Sequence, residues 1–311
     1  MTVAIRYENN SIMIETSLYT LPHGITLSCR SAGEKGRPVL MFLHGFPEAA
    51  FVWDGMLAHF SQLEHGGYRC IAPNLRGFEN SSAPADVAAY RPKHLVQDMA
   101  ALIALEGAPI DCLIAHDWGG AVAWNLAASQ PGLLKKLAII NSPHPGTFLR
   151  ELQHSPAQQT ASDYMNFLIR PDAEELLAAD DFRRLWAFFT DLGASHTGDM
   201  ADAWLTEEVK AQYREVWQRG LNGPLNYYRA SPLRPPRPQD PAAAALSIPR
   251  ALLEVHLPTL VIWGMKDTAL PPALLDGLGD YVPNIQLQRV EGASAGCSCT
   301  IQWLAPSTLC N

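Results

Sequence analysis

Val39-Leu40-Met41-Phe42-Leu43 is apolar at every position, the pattern of a strand buried on both faces rather than one. Residues 112–115 and 137–140 repeat it, as do 68–72 apart from Arg69, and strand patterns resume at 259–263 and 285–290. Between these runs, apolar residues at helical spacing cover 94–105 and 121–128. Buried strands alternating with helices predict an α/β fold, a mostly parallel sheet wrapped by helices on both sides.

The middle of the chain reads differently. From 143 to 248 no buried-strand pattern occurs, while helical patterns fall on 173–179, 182–192 and 207–219. This stretch leaves through Pro143-His144-Pro145 and returns through Leu233-Arg234-Pro235-Pro236-Arg237-Pro238, which predicts stiff, extended connections. The expected organisation is a sheet core built from 1–142 and 249–311, interrupted by a helical cap at 143–248.

Candidate chemistry begins at Ala115-His116-Asp117-Trp118-Gly119-Gly120, between a buried strand and a helix. Small residues two positions to either side of Asp117 match a nucleophile elbow, whose tight turn leaves no room for larger neighbours. A carboxylate at its centre is suited to displacement at an sp³ carbon, forming an alkyl ester. Taken alone, Asp117 serves equally well as a helix cap. His44-Gly45-Phe46-Pro47, directly after the strand 39–43, supplies what a cap does not need: a loop whose Phe46 N–H, with that of Trp118, can hold an oxyanion.

With these residues in place the chain resembles the α/β-hydrolases that use an aspartate nucleophile, and among them the epoxide hydrolases. The resemblance runs from about Tyr19 to Gly292. It rests on His44-Gly45-Phe46-Pro47-Glu48, Asn74-Leu75-Arg76-Gly77-Phe78, His116-Asp117-Trp118-Gly119-Gly120 and Trp263-Gly264-Met265-Lys266-Asp267. It implies an α/β-hydrolase fold with Asp117 as nucleophile, Phe46 and Trp118 forming the oxyanion hole and flanking the substrate, and Asp267 orienting a catalytic histidine. Tyr164 and Tyr228 match the two family tyrosines whose hydroxyls grip the epoxide oxygen, a phenol being able to stabilise and protonate the alkoxide that ring opening creates. The implied substrate is a small epoxide and the implied reaction needs no cofactor or metal. Haloalkane dehalogenases share the fold and the aspartate, and Trp118 resembles half of their halide clamp. They usually carry a polar residue where this chain has Phe46, so dehalogenation is the alternative reading. A ligand-binding relative that does not turn over is a third.

Composition narrows the partners. Lys and Arg number 23 against 31 Asp and Glu, a net charge of −8, which disfavours nucleic acid and anionic membranes. No apolar run is long enough to span a bilayer, and the first ten residues carry no secretion signal, so a cytoplasmic protein is expected. Cys29, Cys70 and Cys112 read as reduced core thiols. His116 and His144 have no spaced partners that would make a metal site.

The family pattern breaks after Gly292. A histidine is expected where the chain has Ala295, and the last histidine anywhere is His256. Residues 292–311 carry no charge, lack helical period, and hold Cys297, Cys299 and Cys310. The C-terminal end beyond about Ser294 is therefore atypical, as a shifted reading frame or recombined end would produce.

Overall fold

The computed structural model describes residues 3–6, 13–190, 205–237 and 240–291. Nine strands form one sheet in the order β1-β2-β3-β5-β4-β6-β7-β8-β9. These are β1 (Val3–Arg6), β2 (Met13–Thr20), β3 (Thr26–Ala32), β4 (Val39–Leu43), β5 (Arg69–Pro73), β6 (Cys112–His116), β7 (Leu137–Ile140), β8 (Thr259–Gly264) and β9 (Ile285–Val290). Strands β1, β2, β3 and β5 pair antiparallel, and from β5 through β9 every pairing is parallel.

The uninterrupted apolar runs are explained by what covers the two faces. Along β4, Val39, Met41 and Leu43 enter one core cluster while Leu40 and Phe42 enter the other. The same alternation splits Leu137 and Ile139 from Ala138 and Ile140. One face packs on α1 (Asp54–Phe60), and the other carries α2 (Pro92–Glu106) and α3 (Asp117–Ser129). Cys29 and Cys70 are buried free thiols in these clusters, and Cys112 is half-buried.

Between β7 and β8 the described chain is helical: α4 (Pro145–His154), α5 (Pro156–Ala161), α6 (Tyr164–Leu168), α7 (Ala173–Thr190), α8 (Glu207–Gln218), α9 (Asn222–Ala230) and α10 (Pro241–Ala245). α7 is broken at 179–182, where Asp180, Asp181 and Phe182 take positive φ. The proline-dense exit is not the extended linker expected of it. His144 caps α4, accepting from the Gly146 N–H, and Pro145 takes the first helical position, where a missing N–H costs nothing. No helix among the described residues is long and apolar enough to cross a membrane. The atypical end, with Ala295, Cys297, Cys299 and Cys310, lies outside the described residues.

Candidate active site

Parallel strands β4, β6, β7 and β8 all end at the same edge of the sheet, and the residues just past each end meet there. Asp117 follows β6 and opens α3 at φ +48°. The turn is possible because its surroundings are stripped of side chain. A Cβ on Gly119 would lie 2.6 Å from the carbonyl oxygens of Leu43 and His44, and one on Gly45 would lie 2.3 Å from Asp117 itself. The Phe46 N–H donates to Asp117 Oδ1 at 2.7 Å, and the Trp118 N–H donates to the same carboxyl group. Burial pushes the Asp117 carboxyl up, while the charge of His116 and these two amides pull against that rise.

The loop after β4 is held from several sides. His44 Nδ1 contacts the Gly45 carbonyl at 2.9 Å, and Nε2 accepts from the Leu75 N–H at 3.1 Å. Only a neutral ring makes both bonds, and burial lowers the His44 pKa to about 4. Trp217 of α8 donates its indole N–H to the Pro47 carbonyl at 2.7 Å. Glu48, fully buried, lies 3.1 Å from His116 Nδ1. Burial opposes charge on His116, but the hydrogen bond and charge of Glu48 outweigh it and raise the imidazole.

Asp267 lies three residues past β8. Its Oδ1 accepts from the Ala269 and Leu270 N–H groups at 2.9 and 2.8 Å, and its Oδ2 from Asn141 Nδ2 at 2.9 Å. Burial nevertheless pushes its carboxyl up to about 7 against these donors.

Asp117, Trp118, Tyr164 and Tyr228 line one cavity of about 270 Å³. The Tyr228 ring stands edge-on to Trp118 at 5.0 Å between centroids and to Tyr164 at 6.3 Å. Phe46 and Asp267 are not among the lining residues. The Phe46 ring packs edge-on against Tyr228 and Phe188, so its contribution at the carboxylate is its backbone N–H. Among the described residues, no group of three or more His, Cys, Asp or Glu side chains gathers as a metal would require.

Asn141, Ser142 and the Glu48–His116 contact were not singled out by sequence. Asn141 links β7 to β8, donating to Asp267 and accepting from the Gly264 N–H at 2.9 Å. Ser142 donates to the Asp117 carbonyl at 2.6 Å. Their signal was position: polar residues immediately past a buried parallel strand stand at the edge where such sheets build sites.

A family model for the alpha/beta hydrolase fold matches residues 38–295. The chain is similar to mouse epoxide hydrolase 4, 32% identical over 263 residues, covering 84% of this chain and 68% of the relative. It is 34% identical over 275 residues to the AB hydrolase superfamily protein YfhM of Bacillus subtilis, covering 88% of each. The chain spans about two thirds of the length of the vertebrate relatives it matches. A crystal structure of the Bacillus megaterium epoxide hydrolase in complex with an inhibitor superposes with a TM-score of 0.80 at 28% identity, covering 92% of this chain and 96% of that one.

Proposed function

The chain belongs to the α/β-hydrolase family, as an enzyme of the epoxide hydrolase type, and from that premise we propose that it opens epoxides through an ester on Asp117. The reading is carried by one observation: a half-buried carboxylate, already held by two backbone amides, lines the same cavity as Tyr164 and Tyr228. One Asp117 oxygen attacks an epoxide carbon, the carbon–oxygen bond breaks, and the departing alkoxide takes a proton from a tyrosine hydroxyl. Oδ1, held by Phe46, becomes the ester carbonyl oxygen. It therefore sits beside an amide donor before water adds to the ester carbon and charge develops on it. The helices carrying the tyrosines act as a cap, 143–248, over a core of 1–142 and 249–311.

Hydrolysis of that ester needs a base, and such a group typically contributes about a hundredfold to ten-thousandfold. By resemblance the base is a histidine oriented by Asp267, and the sequence has Ala295 in its place. Ester formation should then outrun ester hydrolysis. Incubation with styrene oxide should add one substrate mass per chain, on the peptide containing Asp117, with epoxide consumption stopping near one equivalent and little diol released. Asp117→Ala should show no adduct. Labelling that survives in Asp117→Ala removes the nucleophile from the proposal, and rapid multiple turnover by the intact chain means another group serves as base.

A further inference from the structure

The cavity is not centred on Asp117 but runs along one face of α3. Asp117, Trp118, Ala121, Val122 and Asn125 line it, positions i, i+1, i+4, i+5 and i+8. At a rise of about 1.5 Å per residue, Asn125 stands about 12 Å along the helix axis from the nucleophile. The facing wall is apolar, including Leu95, Phe148, Met165, Leu233, Leu252 and Leu253. The two serines of the lining are already engaged. Ser142 Oγ donates to the Asp117 carbonyl, and Ser231 Oγ accepts from the Leu233 N–H at 3.1 Å. Asn125 differs. Its Nδ2 donates one hydrogen to the Ala121 carbonyl at 2.7 Å, and a carbonyl can only accept, so the amide is oriented and Oδ1 is its only acceptor, beside one Nδ2 hydrogen not used in that bond. Among the described residues nothing donates to Oδ1.

Resting on the epoxide reading above, we propose that the substrates are terminal epoxides whose apolar chain ends in a hydrogen-bond donor, a hydroxyl or amide N–H, received by Asn125 Oδ1. The epoxide end lies between Asp117 and the tyrosines, the chain follows α3, and the donor meets the acceptor about two helical turns away. A chain of about six to eight carbons spans that distance once both end contacts are allowed for. An apolar terminus there would strip water from Oδ1 and return nothing, which is how a hydrogen-bonding site rejects an analogue lacking the donor.

Two probes of equal length test this, an eight-carbon terminal epoxide ending in a hydroxyl and one ending in a methyl group. The readout is the second-order rate of ester formation on Asp117, followed by intact mass, so that hydrolysis plays no part. Asn125→Leu should lower the hydroxyl-to-methyl rate ratio about tenfold. Asn125→Gln keeps the acceptor one methylene further out, and should shift the best hydroxyl-ended chain shorter by about one carbon. Ratios unchanged in Asn125→Leu, with no shift in Asn125→Gln, overturn the proposal. Styrene oxide, too short to reach Asn125, separates the two levels of argument in the unmodified chain. If it fails to label Asp117, the epoxide reading falls and takes this one with it. If it labels and the long probes behave alike in all three proteins, only the Asn125 subsite is wrong.

Discussion

Asp117 holds a left-handed backbone that few residues other than glycine tolerate, and aspartate is one of them. The residue proposed to supply the chemistry therefore also relieves some of the strain its position imposes. Asp267 shows the opposite economy: three donors surround it, yet its carboxyl is pushed up to about 7 from 3.8 because burial outweighs them. A folded-state value above the unfolded one means that the folded protein binds the extra proton, so stability is lost as pH rises between about 4 and about 7. Asp267→Asn removes that titration. Its melting temperature relative to the unmodified chain should climb steadily across this window, with an upper bound of about 4 kcal/mol on the change. Thermal melts at several pH values check this, and a gap that does not vary with pH refutes it. The burial of His44 and His144 acts in both proteins alike and cancels. The positions of Asp117, Phe46 and Trp118 were legible in sequence because elbow and loop are local patterns. Asn141 was not, since its contact with Asp267 joins residues far apart in the chain.

At the scale of elements, the contact that fixes α9, and with it Tyr228, is made without side chains. Gly77, at φ +90°, and Gly223 approach so closely that a Cβ on Gly223 would lie 2.5 Å from the Gly77 Cα and carbonyl oxygen. Beside it, Tyr227 donates its hydroxyl to the Arg76 carbonyl at 2.9 Å, and Arg76 is pinned by both oxygens of Asp98. Gly223→Ala must push the helix off the sheet domain. We expect a loss of about 1–3 kcal/mol together with slower labelling of Asp117, because Tyr228 moves with its helix. Tyr227→Phe should cost about 1 kcal/mol by losing one hydrogen bond while keeping the ring. Denaturant unfolding and adduct kinetics measure both, and a Gly223→Ala protein unchanged in either respect would show the approach to be looser than it is drawn. Strands β4 to β8 were legible because both their faces are buried. Strands β2 and β3 were not, since Ser28 and Ser31 are buried polar positions and β2 mixes polar residues with exposed Met13 and Leu18, which breaks the apolar run.

Across the whole molecule, the register of β8 and β9 brings two strand ends to one edge of the sheet. Gly264 pairs with Val290, and Asp267 lies three residues past β8. Replacing the chain after Ser294 with the end of an epoxide hydrolase relative should restore multiple turnovers, read as diol per chain after a single epoxide addition. Ala295→His alone should restore less, because orienting an imidazole needs the surrounding chain as well as the residue. Equal rescue by both would show that the rest of the end is immaterial. The alternation of strand and helix made the architecture readable at this scale. The helices between β7 and β8 were only partly so: α4, α5, α6 and α9 are short or open with proline or glycine, and their periodicity is too brief to register.

The crowding around the elbow also divides the molecule into positions that can vary and positions that cannot. Gly45, Gly77, Gly119 and Gly223 each have backbone or Asp117 atoms where a Cβ would go, and Gly120 has the Ser142 side chain there. The cavity wall is drawn from other segments, with Phe148, Met165, Ile248 and Leu252 supplied by the chain between β7 and β8. Anyone diversifying this scaffold toward new substrates therefore has a natural partition: randomise the wall, leave the glycines untouched, and most library members should keep the proposed nucleophile, Asp117, while differing in what they admit.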